Sequence, residues 1–165
     1  MINTATMFKP LTGYLAVFLV SVSLLQIADK VDFSGSYTLT DAKGNFRYKK
    51  DTNWTLKVVQ SASAIEVTKT MGGRPESHRY PLDGTEGDFV NQFGGQGKCK
   101  GQFQGKVLHL ESVVAPPNRP DTKVYKTEHW ELSPDGKKLT IHMEGGFNDA
   151  SPSEKQVWSE IYTRD

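Results

Sequence analysis

Few residues in this sequence suit reactive or metal-binding chemistry. Among its 165 residues there is one cysteine, Cys99, so no intramolecular disulfide can form and the fold must depend on its core. We expect Cys99 to be a small residue packed in a strand. The sequence contains no Gly-x-Ser-x-Gly, His-Glu-x-x-His or paired-cysteine motif. The segment from Gly94 to Lys98 fails as a phosphate loop, because Gln92 and Cys99 occupy positions that require Gly and Ser or Thr. We therefore predict no catalytic residue and no cofactor, and an enzyme is the least favoured function.

An excess of charge of one sign is missing too. The chain has 20 basic and 19 acidic side chains, and the two numbers become equal when Lys9 near the N-terminus is left out. Proteins that bind nucleic acids usually carry a basic excess or a basic stripe. We therefore expect no nucleic acid among the partners.

The one long hydrophobic run lies at the N-terminus. The stretch from Leu11 to Ala28 contains no charged residue and follows Lys9. A basic start, an apolar stretch and small residues near its end are typical of a secretory signal peptide. The alternative is an uncleaved anchor, because about 18 apolar residues are close to the minimum that spans a bilayer. We predict residues 1–28 as a signal peptide or N-terminal anchor, and residues 29–165 as one secreted or periplasmic domain. A membrane is expected as a partner only through an uncleaved N-terminal segment.

Residues 29–165 lack the spacing of a long amphipathic helix. They contain short runs rich in Val, Ile, Thr and aromatic residues, in which apolar and polar side chains alternate between turn-forming residues. This pattern favours an all-β domain, and we predict an antiparallel up-and-down barrel of about 8–10 strands. The expected strands are Gly35–Thr40, Trp54–Gln60, Ala64–Met71, Ser77–Leu82, Asp88–Gln92, Lys98–Gln104, Val107–Val114, Lys123–Leu132, Lys138–Glu144 and Gln156–Thr163.

The segment Asp32-Phe-Ser-Gly-Ser-Tyr37 resembles the start of the calycin barrels, which include the lipocalins and the fatty-acid-binding proteins. In those families a glycine on the first strand is followed two residues later by an aromatic residue that plugs the closed end of the barrel. The resemblance implies that Tyr37 is this plug, that Gly35 lets the strand bend, and that Arg164 is the late arginine that lipocalins pair with the plug. Two family features are missing: the Thr-Asp-Tyr motif of lipocalins and the helix pair that follows strand one in fatty-acid-binding proteins.

A second resemblance extends from Asp32 to Arg164. It is to a loose class of secreted bacterial β-proteins, which begin with Asp-Phe-Ser-Gly and contain a hairpin like the one from Trp130 to Ile141. This likeness implies the fold and export, but it implies no function.

Strand alternation predicts which side chains face the interior. Lys126 and Glu128 lie at alternate positions with Trp130 and Leu132, on the same face of one predicted strand. If that face is inward, a lysine and a carboxylate point into the barrel. Buried charges are costly unless they are paired, and a few polar groups in an apolar cavity are what orients a ligand. The alternative is a bulge that reverses the register, or a position at the solvated mouth. The predicted ligand-binding residues are Trp54, Leu56, Leu110, Lys126, Glu128, Trp130, Ile141 and Met143. We also expect Tyr37, Trp54 and Trp130 to be buried.

The histidines offer a possible metal site. His109, His129 and His142 fall on three successive predicted strands and could converge on a metal ion such as zinc. His109 and His142, however, alternate with apolar residues that suit the core, so both should face outward. We therefore predict solvated histidines and no metal site.

Two functions fit these patterns. The first is an exported protein that binds a small molecule, apolar or lipid-like, inside the barrel. The alternative is a non-enzymatic envelope interaction or inhibitor protein with a filled core, acting through its surface and the loop Pro116–Pro120. Interior volume separates the two, because barrels of about eight strands can be filled by side chains or hollow enough for one small ligand.

The N-terminal segment supplies a direct test. Residues 1–23 or 1–28 should be absent from the exported protein. Small residues occupy positions −3 and −1 of a cut after Ser23, whereas a cut after Ala28 has a small residue at −1 but the bulky Gln26 at −3. N-terminal sequencing of exported protein should therefore begin at Leu24 or Asp29. Exported material that begins at Met1 would contradict the prediction of a signal peptide.

Overall fold

Ten strands form one antiparallel sheet in the computed structural model, which describes residues 31–44, 53–147 and 155–165. All ten predicted strands are present, and the all-β barrel fold is confirmed. The predicted signal segment lies outside the described residues. Within those residues no helix is long and apolar enough to cross a membrane. The strands are β1 Gly35–Gly44, β2 Thr55–Gln60, β3 Ala64–Met71, β4 Arg74–Pro81, β5 Gly87–Val90, β6 Gln96–Gln104, β7 Val107–Ala115, β8 Val124–Leu132, β9 Lys138–Phe147 and β10 Gln156–Arg164.

The sheet is an up-and-down meander that nearly closes on itself. Each strand pairs with its neighbours in sequence except at β4 and β5, and β1 pairs with β10. The edge strands approach each other through side chains. The rings of His78 on β4 and Phe89 on β5 have centroids 4.5 Å apart, and the Cys99 thiol on β6 donates to the Arg79 carbonyl on β4 over 3.2 Å. Cys99 is buried, as expected.

The closed end of the barrel is built around Tyr37. Its side chain has no solvent exposure, and its hydroxyl donates to the Phe33 carbonyl over 2.8 Å. Arg164 at the end of β10 donates to the same hydroxyl from Nη2 at 2.6 Å, and its guanidinium carbon lies 5.1 Å from the centre of the Tyr37 ring. Gly35 has a φ of +155°, and a Cβ there would lie 3.1 Å from Arg164 Nε. These residues therefore occupy the positions that the calycin resemblance implied.

Alternation places one face of every long strand in a continuous core. Trp130 on β8 is 1% exposed, and its ring meets the Phe33 ring edge-on at a centroid distance of 6.0 Å. The register of β8 with both neighbours is uninterrupted, so no bulge reverses its faces. The buried hydrophobic residues are Phe33, Tyr37, Leu56, Val58, Ala64, Ile65, Val67, Tyr80, Leu82, Cys99, Leu108, Leu110, Trp130, Leu139, Ile141, Met143 and Tyr162.

Replacement of Trp130 by alanine tests this packing. The Trp130→Ala variant should lose about 3–5 kcal/mol of unfolding free energy, as deletions of large buried aromatic side chains do. Urea denaturation provides the measurement, with Glu131→Ala on the outer face of the same strand as the control. That control should change stability by less than about 0.5 kcal/mol. A loss below about 1 kcal/mol for Trp130→Ala would show that the ring does not pack in the core.

Candidate functional site

A cavity of about 180 Å³ lies inside the barrel. Its wall combines aliphatic side chains, aromatic rings and ionisable groups that come from β2, β3, β4, β8, β9 and β10. Tyr37 and Phe33 of the closed end do not line it. The lining residues are Trp54, Leu56, Val67, Lys69, Met71, Glu76, His78, Tyr80, Lys126, Glu128, Trp130, Ile141, Met143, Trp158, Glu160 and Tyr162.

One ion pair in the wall joins Lys126 and Glu128 on β8. The Lys126 ammonium lies 2.6 Å from Glu128 Oε1, and 35% of the lysine side chain but only 8% of the glutamate side chain is accessible. The second carboxylate oxygen, Glu128 Oε2, accepts a hydrogen bond from the Trp130 indole over 2.8 Å. Both oxygens of this buried carboxylate are therefore engaged by groups of its own strand.

A second ion pair spans the interior from β3 to β10. Lys69 Nζ lies 2.7 and 2.6 Å from the two oxygens of Glu160, and it also lies 4.7 Å from the centre of the Trp54 ring. The Tyr162 hydroxyl donates to Glu160 Oε2 over 2.6 Å. Because β2 and β1 separate β3 from β10 in the sheet, this contact crosses the lumen and does not follow the wall.

A third polar group lies on β4. His78 Nε2 is 3.0 Å from Glu76 Oε1, and both side chains are mostly buried. The other ring nitrogen, Nδ1, is 3.3 Å from the Tyr80 hydroxyl. Glu76, His78 and Tyr80 are alternate residues of β4, so all three side chains lie on the same face and point toward the cavity.

The surroundings of the ionisable groups shift their pKa values in different directions. Burial disfavours the ammonium of Lys126, but the attraction of Glu128 and of Tyr80 outweighs it and raises the Lys126 pKa. Burial would likewise raise the pKa of Glu128, but the charge and hydrogen bond of Lys126 lower it. Both partners are therefore charged at neutral pH. Lys69 behaves differently, because burial outweighs the attraction of Glu160 and lowers the Lys69 pKa.

Most of the predicted ligand-binding residues line this cavity. The seven that do so are Trp54, Leu56, Lys126, Glu128, Trp130, Ile141 and Met143. Their role in binding stays a prediction.

Two of these residues are placed differently from what the sequence pattern suggested. Leu110 is fully buried but is not part of the cavity wall. It packs into the space that Gly101 leaves open, since a Cβ on Gly101 would lie 2.8 Å from Leu110 Cδ2. Trp54 precedes β2 and is only partly buried, because its ring covers Lys69 beside the lumen and not the packed core.

The sequence interpretation missed Lys69, Glu76, His78 and Glu160. The signal that identified Lys126 and Glu128 was available for them as well. Lys69 is two residues from the buried Val67, and Glu160 is two residues from the buried Tyr162, so each lies on the inward face of its strand. The alternation of side chains along β3, β4 and β10 therefore predicts inward charged residues on these three strands. It does not predict which charged residues contact each other.

The three histidines on successive strands form a row on the outer face. His129 is directly opposite His109 on one side and His142 on the other, and the rings of His109 and His129 have centroids 4.4 Å apart. None of the three lines the cavity. Within the described ranges no cluster of three metal-binding side chains occurs.

Comparison with solved structures identifies the fold. The REP1-NXSQ fatty acid transporter matches with a TM-score of 0.54 at 12% identity, over 81% of this chain and 96% of that chain. Human cRBP IV matches with a TM-score of 0.54 at 14% identity, over 82% and 100%. The zebrafish ileal bile acid-binding protein, solved with cholic acid, matches with a TM-score of 0.57 at 15% identity, over 81% and 98%. The fold is calycin-like. No protein-family model matches the chain, and no curated protein matches it by sequence.

The calycin-like barrel carries a second concave region on its surface. This groove, of about 730 Å³, is lined by Asn91, Phe93, Val114, Pro116, Pro117, Asn118 and Val124. It lies beside the Pro116–Pro120 loop, and the Phe93 ring is 72% exposed. The groove is wider and more open than the interior cavity and contains no charged side chain. A role for this loop in protein interaction stays a prediction.

The Lys126–Glu128 pair gives the barrel a pH-dependent stability. Because the folded-state pKa of Glu128 lies below its ordinary value of 4.5, the pair stabilises the fold fully above that value. The stabilisation is lost as the pH falls through the folded-state pKa. At neutral pH, Glu128→Gln should lower the free energy of unfolding by about 2–3 kcal/mol. This is at or below the lower end of the roughly 3–5 kcal/mol for broken buried pairs, because 35% of the Lys126 side chain remains accessible.

The measurement is the free energy of unfolding as a function of pH. Glu128→Gln should flatten the acid limb of this curve, whereas Glu131→Gln, on the outer face of β8, should leave it unchanged. An acid limb that is the same in Glu128→Gln and in the unmodified protein would show that Glu128 does not titrate with a lowered pKa.

Proposed function

We propose that this protein is an exported carrier that binds a small, largely apolar molecule inside its barrel. The observation that carries the proposal is the interior cavity, with its aromatic and aliphatic wall and a few ordered polar groups. Ligand sites are typically concave and apolar, with a small number of placed polar groups. The segment 1–28 supports export, as its apolar run has the pattern of a signal peptide.

The fold neighbours support the same function. One is a fatty acid transporter, and another was solved in complex with cholic acid. The calycin-like barrel thus suits the enclosure of small apolar molecules, although a fold by itself does not specify a ligand. For this chain the argument therefore depends on the cavity.

The volume of the cavity restricts the size of the ligand. About 180 Å³ is below the range of roughly 300–1,000 Å³ that is typical of sites for drug-sized ligands. A compact ligand, such as one ring with a short side chain, fits this space better than a long acyl chain.

The protein contains its own reporter of binding. All three of its tryptophans, Trp54, Trp130 and Trp158, line the cavity. A ligand in the lumen should therefore change tryptophan emission, because it replaces water beside the indole rings. Phenethyl alcohol is a suitable neutral probe, and we expect its titration to produce a saturable change in emission.

A matched pair of variants locates the binding site. Val67→Phe adds a ring on the cavity wall, and Val59→Phe adds the same ring at a position on β2 that is 54% exposed. Val67→Phe should weaken phenethyl alcohol at least about tenfold, equivalent to 1.4 kcal/mol, and Val59→Phe should not. Equal binding by both variants would show that the probe does not occupy the lumen. An interaction through the Pro116–Pro120 loop would then be the better hypothesis.

A further inference from the structure

The ionisable groups of the cavity discriminate between ligands by charge. Its wall contains three carboxylates, those of Glu76, Glu128 and Glu160, but only two ammonium groups, those of Lys69 and Lys126. The imidazole of His78 is the remaining ionisable group of a basic residue there. Among these glutamates and lysines, the carboxylates therefore outnumber the ammonium groups by one.

An anionic ligand would have to break an existing ion pair. Lys126 already lies 2.6 Å from Glu128, and Lys69 lies 2.6 Å from Glu160. Glu128 is 6% exposed and Glu160 is 2% exposed. A ligand carboxylate that took either lysine would leave a buried glutamate without its counter-charge, which is strongly unfavourable.

A cationic ligand meets the opposite situation. Glu76 has the His78 ring as its partner, with Nε2 3.0 Å from Oε1, and no lysine, so its carboxylate can pair with an ammonium without displacing a lysine. The aromatic wall also suits a cation, because the faces of tryptophan and tyrosine rings attract positive charge. The structure already shows an ammonium in this setting, since Lys69 Nζ lies 4.7 Å from the centre of the Trp54 ring.

We propose that the cavity selects compact organic cations, such as primary amines that bear one apolar ring, and rejects carboxylates of the same size. This inference rests on the proposed function, because it names the ligand class of the same site. It sets this chain apart from the fatty acid transporter and the cholic acid complex among its fold neighbours. The shared barrel supplies the enclosure, and the residues of this wall supply the charge preference.

Three probes of nearly the same shape test the proposal. Phenethylamine is cationic, phenethyl alcohol is neutral, and phenylpropanoate is anionic. Each is titrated into the full-length protein at the same pH, with tryptophan emission as the signal. Phenethylamine should bind at least about tenfold more tightly than phenylpropanoate, with phenethyl alcohol between them.

A variant pair assigns the preference to Glu76. Glu76→Gln should lower the affinity for phenethylamine at least about threefold and leave that for phenethyl alcohol unchanged. Glu66→Gln, at an exposed position on the outer face of β3, should alter neither affinity. If Glu76→Gln keeps the full preference for the amine, the assignment to Glu76 is wrong.

The outcomes separate this inference from the proposed function. If phenethyl alcohol binds and phenylpropanoate binds as tightly as phenethylamine, the charge preference is refuted while the carrier function stands. If none of the three probes binds, the carrier function fails and this inference fails with it.

Discussion

The pairing of the first strand with the last is the interaction on which the rest of the structure depends. The pairing of β1 with β10, from Tyr37 opposite Arg164 to Gly44 opposite Trp158, joins β1–β4 and β5–β10 into one sheet. It leaves β4 and β5 as the edges of that sheet, which side chains bring together to form the barrel. Next to the β1–β10 pairing, Arg164 donates a hydrogen bond to the Tyr37 hydroxyl and holds the side chains that fill one end of the barrel. Closure of the barrel gives every strand an inner face. The end of the barrel at Tyr37 is filled by side chains, and the cavity lies beyond this filled end.

Closure also decides which interior charges are compensated. Lys126 and Glu128 are two residues apart on β8, so their pairing is local and needs only an extended strand. Lys69 and Glu160 belong to strands that are not neighbours in the sheet, and their contact exists only because the barrel curves around the lumen. An unpaired buried charge is costly. The Lys69–Glu160 pair can therefore remain in the cavity only while the barrel holds β3 and β10 within reach of each other.

The comparison with other calycin-like barrels separates fold from ligand choice. Identities of 12–15% accompany matches over almost the whole length of the neighbouring chains, so the architecture persists although most residues differ. Alternation requires apolar residues at most inward positions, but a few can carry charge if each finds a partner. On our proposal, those few positions set the ligand preference, because they add charge to an otherwise apolar lumen.

The sequence by itself determined the class of fold, the ten strands and the inward direction of Lys126 and Glu128. These properties follow from local rules, namely alternation with a period of two and turn-forming residues at the strand ends. The Tyr37–Arg164 contact was also accessible, although through a family resemblance and not through local pattern. Only the tertiary structure decided that Leu110 fills the space beside Gly101 and that Trp54 covers Lys69. It alone decided that Lys69 reaches Glu160. These contacts join residues far apart in sequence, and their geometry depends on the curvature and closure of the sheet, which no local pattern encodes.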